Sequence, residues 1–87
     1  MKTIKIKISG IVQGVFFRKF IKEKADELSL KGFIRNLENG DVEVVVEGKD
    51  EHTNKMLLIC KKGSPHSEVK NMEFEEIKHQ GFGDFKI

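Results

Sequence analysis

The chain is poor in cysteine and proline and lacks tyrosine and tryptophan: its 87 residues include one Cys, one Pro and seven Phe. A single thiol cannot form an internal disulfide, so we expect a reducing compartment and a cytoplasmic location. No apolar run approaches the roughly 20 residues that a membrane-spanning helix needs. The N-terminus passes directly into alternating Lys and Ile, without the apolar core of a secretion signal. We therefore expect no membrane association.

Neither sign of charge dominates, because 16 Lys and Arg stand against 14 Asp and Glu, for a formal net charge of +2. A nucleic-acid-binding domain is expected to concentrate basic residues on one face. We therefore expect no nucleic-acid partner. The mixture of 38% hydrophobic and 34% charged residues is typical of a soluble globular protein. Its length predicts a single domain over residues 1–87, and nothing in it demands more than a monomer.

Several common catalytic patterns are also missing. His52, His66 and His79 lie far apart without the spacing of metal ligands, so we expect no metal and no cofactor. There is no Gly-x-Ser-x-Gly elbow. No glycine-rich segment ends in the Gly-Lys-Ser/Thr of a nucleotide-binding P-loop. Cys60 follows a run of apolar residues, and we interpret it as a core residue, not a nucleophile.

The hydrophobic pattern predicts two helices and five strands. Strict alternation of Ile with Lys at the start of the chain indicates a half-buried strand. Apolar residues at helical spacing follow, and Asn39-Gly40 is the strongest hairpin signal. The predicted segments are strands over 3–9, 33–37, 42–46 and 69–77, a helix over about 17–30 that Gly32 stops, a helix between Gly48 and Gly63, and a short strand within 82–87.

This order predicts an α+β, ferredoxin-like βαββαβ fold with a short fifth C-terminal strand. Two helices should lie on one face of a mainly antiparallel sheet, as an open-faced sandwich. On the other face, Glu43 and Glu47 are interpreted as solvated. Ile77 breaks the alternation of the fourth strand, and a bulge at Glu75-Glu76 would restore it.

The segment Gly10-Ile11-Val12-Gln13-Gly14-Val15-Phe16-Phe17-Arg18 carries the strongest functional signal. It joins a strand to a helix, and its two glycines permit a tight turn that approaches a ligand closely. Backbone N–H groups of such a turn, with a helix N-terminus behind them, form a concave donor site for an anion. Arg18 then adds a planar guanidinium that can bind two oxygens of the same anion.

Two alternatives remain open for the polar residues near this segment. Arg18 could instead make a helix-surface salt bridge to Glu23 or Asp26. Asn36, on the second strand, needs a backbone, solvent or ligand partner. Spacing alone favours a role in starting the turn toward Asn39-Gly40. Arg35 is interpreted as a structural residue on the open face of the sheet.

A site with an anion-binding loop and an arginine, but no evident base or nucleophile, can still support phosphoryl transfer. That reaction depends mostly on positioning and charge stabilisation. A carboxylate leaving group needs no general acid, which favours a mixed anhydride of carboxylic and phosphoric acid as the substrate. Water is the simplest acceptor, and Asn36 is the best candidate to orient it.

These residues also resemble a known family. The segment from Gly10 to Arg18 is similar to the signature loop of the acylphosphatases, and Gly32-Phe33-Ile34-Arg35-Asn36-Leu37 with Asn39-Gly40-Asp41-Val42-Glu43 resembles their second signature. The resemblance implies metal-independent hydrolysis of an acyl phosphate to a carboxylate and inorganic phosphate, by water that attacks directly. It also implies that Arg18 binds phosphate and that Asn36 orients the water.

The resemblance further implies a set of backbone N–H groups that bind the substrate. We refer to these residues as the amide loop: Gln13, Gly14, Val15, Phe16 and Phe17. Ile11 and Phe33 depart from the usual residues of the family, and Ile11 leaves the substrate preference open. A non-catalytic phosphate- or anion-binding regulatory module on the same fold is the alternative function. A nucleic-acid binder is disfavoured because the aromatic-rich strand motif is absent.

Overall fold

One five-stranded sheet carries both helices in the computed structural model, which describes all residues from 1 to 87. The elements are β1 (Lys2–Ile11), α1 (Phe17–Glu27), β2 (Lys31–Asn36), β3 (Val42–Gly48), α2 (Asp50–Lys62), β4 (Glu68–Ile77) and β5 (Phe85–Lys86). The strand order is β4-β1-β3-β2-β5, and only the β2–β5 pair is parallel. The predicted ferredoxin-like open-faced sandwich is confirmed.

The core lies between the helices and one face of the sheet. Alternate residues of β1 and β3 point into the core, because successive side chains of a strand face opposite sides. The buried cluster draws on both helices: Ile4, Ile6, Ile8, Val12, Phe17, Ile21, Ala25, Leu30, Ile34, Val42, Val44, Val46, Met56, Cys60 and Phe85. Burial raises the pKa of the Cys60 thiol to about 12. The interpretation of Cys60 as a core residue is therefore confirmed.

The end of the first helix differs from the sequence prediction. The helix stops at Glu27, and Ser29 adopts a left-handed conformation with φ of 54°. Gly32 does not stop the helix but lies inside β2 with φ of 139°. A Cβ atom there would come within 1.8 Å of the Val45 carbonyl oxygen. Gly32 is thus required by the close approach of β3.

The predicted bulge at Glu75-Glu76 is wrong. Pairing between β1 and β4 is regular from Thr3↔Ile77 to Ser9↔Asn71, and the register shifts between Ser9 and Gly10. The extra residue is therefore Lys70, close to the start of β4. Directly opposed residues share a face of the sheet, so Ile77 lies with Thr3 on the open face and needs no bulge.

The open face is crossed by the connection between β4 and β5, because these strands form opposite edges of the sheet. Glu47 of β3 lies beneath this connection and is only 4% exposed. Its carboxylate accepts hydrogen bonds from the backbone N–H groups of Gln80, Gly81 and Phe82 at 2.7, 3.0 and 3.1 Å. The expectation that Glu47 is solvated is wrong because the connection covers it.

Two opposing effects set the ionisation of this carboxylate. Burial acts to raise the pKa of Glu47. The hydroxyl of Thr3 and the three backbone N–H groups donate to the charged form, outweigh burial and lower the pKa to about 2. His79 adds a contact to the same carboxylate, with Nδ1 3.2 Å from Oε2. Glu47 therefore fixes the crossing connection to the middle of the sheet.

Candidate active site

The ends of three strands meet at one edge of the sheet. Val42, the first residue of β3, pairs with Ile8 of β1 on one side and with Asn36 of β2 on the other. Because neighbouring strands lie about 4.8 Å apart, Asn36 is roughly 10 Å from Ile8 across the intervening strand. β1 ends at Ile11, and the amide loop follows directly. The loop and Asn36 therefore lie at the same end of the molecule.

The amide loop presents a run of unpaired donors. None of its five backbone N–H groups, from Gln13 to Phe17, donates a hydrogen bond to another group of the protein. Gly14 and Phe16 have positive φ angles of 72° and 59°, which turn the backbone sharply. Such turns direct successive N–H groups toward a common point and suit an anion. The five N–H groups of the amide loop are thus left free to bind a ligand.

The helix behind the loop strengthens this preference for negative charge. α1 begins at Phe17, and no acidic residue lies in its first turn. The partial positive charge at its N-terminus is therefore not offset by a neighbouring carboxylate. Phe17 is 1% exposed and fixes the start of the helix against the core, whereas Phe16 is 79% exposed. The backbone of the loop is thus held in place by a buried neighbour.

Arg18, the second residue of α1, is exposed, and its side chain makes no hydrogen bond or ion pair within the protein. The alternative of a salt bridge to Glu23 or Asp26 is not realised. Asp26 pairs instead with Lys22, whose Nζ lies 3.1 Å from Oδ2. All N–H donors of the guanidinium are therefore free to bind a ligand. Arg18 directly follows the last residue of the amide loop.

Arg35, the second of the two arginines, has a different environment. Its Nε donates to Oε1 of Glu43 at 2.8 Å, and its Cζ lies 5.9 Å from the centre of the Phe33 ring. Glu43 is 7% exposed, so the expectation that it is solvated is wrong. The interpretation of Arg35 as a structural residue on the open face is confirmed.

Asn36 is the last residue of β2, and its exposed side chain forms no hydrogen bond within the protein. Alternation along β2 places it on the same face as Ile34, which is buried beneath the helices. The following turn is closed by other groups: Leu37 N–H donates to Asp41 O at 2.8 Å, and Asp41 N–H donates to Asn39 Oδ1 at 3.0 Å. The Asn36 carboxamide is therefore not used to build the turn.

The side chain of Gln13 was not anticipated from the sequence. Its Nε2 donates to the carbonyl oxygens of Leu37 at 2.9 Å and of Asp41 at 2.8 Å. One signal could have indicated this contact. Gln13 carries the only hydrogen-bonding side chain between Gly10 and Arg18, and a half-buried amide requires partners. The amide loop is thereby joined to the turn that follows Asn36.

The structure offers neither a metal-binding cluster nor a membrane-spanning helix. No cluster of three or more His, Cys, Asp or Glu side chains is arranged to hold a metal ion. No helix combines the length and apolar character needed to cross a bilayer. The loop amides, the Arg18 guanidinium and the Asn36 carboxamide make no hydrogen bond within the protein. Such groups can bind a tetrahedral oxyanion and orient a water molecule beside it.

Comparison with known proteins points to one family. The sequence profile of the Acylphosphatase family matches residues 4–87. The acylphosphatase of Coxiella burnetii is 39% identical over 84 residues, covering 97% of this chain and 88% of its own length. That of Thermotoga petrophila is 39% identical over 87 residues, covering 100% and 97%. The crystal structure of acylphosphatase from Bacillus subtilis is 34% identical, superposes with a TM-score of 0.96, and is covered over 98% of its chain.

Proposed function

The chain belongs to the acylphosphatase family, and on that premise we propose that Arg18, Asn36 and the amide loop hydrolyse the carboxyl–phosphate bond of acyl phosphates. The products are a carboxylate and inorganic phosphate. The observation that carries this assignment of residues is the run of five unpaired N–H groups beside an unpaired guanidinium. No feature of the molecule favours a purely regulatory anion-binding role.

In this mechanism the amide loop and Arg18 hold the non-bridging oxygens of the phosphoryl group. Charge on these oxygens is neutralised by donors that are already oriented, so little reorganisation accompanies the reaction. The guanidinium binds two oxygens at once, which fixes the orientation of the group as well as its position. The N-terminus of α1 contributes further positive potential at the same place.

Asn36 holds the attacking water on the side opposite the leaving carboxylate. As the water oxygen bonds to phosphorus, the bond between phosphorus and the carboxylate oxygen breaks, and the carboxylate leaves with its electron pair. A carboxylate is a weak base and needs no proton from the protein. The proton of the water passes to a phosphate oxygen of the substrate, so neither a protein base nor a metal is needed. Turnover should therefore persist in excess EDTA.

The direct test measures phosphate release from an aryl acyl phosphate. Arg18→Lys keeps the charge but loses the fork geometry, so we expect turnover to be largely abolished. Asn36→Ala removes one preoriented polar group, and kcat should fall on the order of 10²-fold.

The chain provides a matched control for each change. Arg35→Lys alters the other arginine, on the open face, and should keep near-parental turnover. Asn54→Ala alters an exposed asparagine of α2 and should do the same. Each variant is checked for folding by urea denaturation. Parental rates in folded Arg18→Lys and Asn36→Ala would contradict the assignment.

We also propose that residues 1–87 act as one catalytic unit, a monomer in the cytoplasm. The family profile over residues 4–87 supports the first point. The single, buried thiol of Cys60 fits a reducing compartment. Sedimentation equilibrium at micromolar concentration measures the association state, and a dimer mass would contradict the monomer.

A further inference from the structure

The carboxamide of Gln13 connects two parts of the site that the sheet itself does not join. Its Nε2 reaches carbonyl oxygens 24 and 28 residues away, those of Leu37 and Asp41, at 2.9 and 2.8 Å. A primary amide has two N–H donors, and both are used here. β1 and β2 are not neighbours in the sheet, because β3 lies between them. The contact therefore links the amide loop to the far side of β3.

The two accepting carbonyls lie immediately around Asn36. Leu37 is the next residue in the chain, and Asp41 precedes Val42, the residue paired with Asn36. The same two residues are bonded to each other, since Leu37 N–H donates to Asp41 O at 2.8 Å. Gln13 thus binds both ends of the β2–β3 turn, directly after Asn36, the last residue of β2.

We infer that the side chain of Gln13 is a positioning residue for the reaction: it fixes the amide loop relative to Asn36, and so the phosphoryl group relative to the attacking water. This inference rests on the proposed function of Asn36. In-line attack requires both groups in register, and a displacement of about 1 Å can cost roughly 10²-fold in rate. The side chain acts through Asn36 and does not touch the reacting atoms.

Substitution of Gln13 separates this role from phosphate binding. Its backbone N–H belongs to the amide loop and survives any change of side chain. Gln13→Met keeps a long side chain of similar size but donates no hydrogen bond, whereas Gln13→Ala also removes the bulk. We expect both variants to lower kcat by about 10- to 100-fold. The inhibition constant of inorganic phosphate should stay within about twofold of the parent, because the donors that bind it are unchanged.

A double-mutant cycle with Asn36→Ala provides the decisive readout. If Gln13 acts through Asn36, Gln13→Met should lower kcat in the parent but have little further effect once Asn36 is Ala. A merely structural role would reduce both backgrounds alike. Exchange of the Gln13 side-chain amide protons, followed by NMR in the unmodified protein, gives a second measurement. These protons should exchange more slowly than those of the exposed Asn54.

Several results would overturn the inference. One is a kcat for the double variant that equals the product of the separate effects of Gln13→Met and Asn36→Ala; another is a parental kcat in folded Gln13→Met. A phosphate inhibition constant that rises as far as kcat falls would also overturn it. So would Gln13 side-chain protons that exchange as fast as those of Asn54. Failure of the proposed function looks different. In that case the parent releases no phosphate, or Asn36→Ala is as active as the parent, whatever Gln13 does.

Discussion

Replacing Glu47 with glutamine tests how the open face of the sheet is held together. The substitution keeps the size of the side chain but removes its charge and one acceptor oxygen. In the parent, the carboxylate receives three backbone N–H donors from the connection between β4 and β5, and a fourth donor from Thr3. We expect Glu47→Gln to loosen this connection and lower the free energy of unfolding.

The magnitude follows from the lowered pKa of Glu47. A change from 4.5 in the unfolded chain to about 2 in the folded protein corresponds to about 3 kcal/mol of stability at neutral pH. Only one stretch of connection covers the carboxylate, so solvent screening reduces this figure. We expect Glu47→Gln to cost about 2 kcal/mol at pH 7.

The same carboxylate gives the effect a characteristic dependence on pH. Because folding lowers the pKa, the contribution is complete above the unfolded value of 4.5 and is lost as the pH falls toward 2. Urea denaturation of the parent and of Glu47→Gln from pH 7 to pH 3 measures the difference directly. The difference in unfolding free energy should shrink by roughly half or more at pH 3.

Glu76→Gln serves as the control, because Glu76 is exposed and pairs with no cation. It should change stability by no more than about 0.5 kcal/mol at any pH. A gap between the parent and Glu47→Gln that stayed constant from pH 7 to pH 3 would refute the reasoning, since it would show a loss of packing and not of a charged acceptor.

Two further outcomes follow from buried or strained groups. Phe16 carries a bulky side chain at φ of 59°. Phe16→Gly should therefore raise the unfolding free energy by about 0.5–1 kcal/mol, whereas Phe16→Ala, which keeps the Cβ, should not. Equal effects of the two substitutions in urea melts would contradict this expectation. The Cys60 thiol, with its pKa raised to about 12 by burial, should resist a disulfide reagent at pH 8 until urea unfolds the chain, whereas rapid reaction of the native protein would contradict the buried position.

The element order could be predicted because it depends on local signals. Alternation in β1 and Asn39-Gly40 in the hairpin each specify structure within a few residues. The two glycines in the segment before Arg18 likewise predict a tight backbone turn. The individual roles of Arg18 and Asn36 stay predictions that the proposed enzyme assays test.

The features that were missed depend on residues distant in sequence. The local pattern predicts that Gly32 stops the helix, because the Val45 carbonyl oxygen that it approaches comes next to it only in the folded sheet. Glu47 was interpreted as solvated because the connection that covers it begins more than 30 residues later. The partners of Gln13 lie beyond β2. Local patterns cannot contain such contacts, although a lone amide in an apolar loop is a hint of one.

The position of Val42 between Ile8 and Asn36 has a consequence for engineering. The span from the end of β1 to Asn36 is the width of one intervening strand, and main-chain hydrogen bonds set that width. Exchanging side chains along β3 therefore cannot enlarge the gap for a bulkier oxyanion. Redesign toward larger substrates would have to lengthen the amide loop itself. The spacing between the three paired strands would stay unchanged.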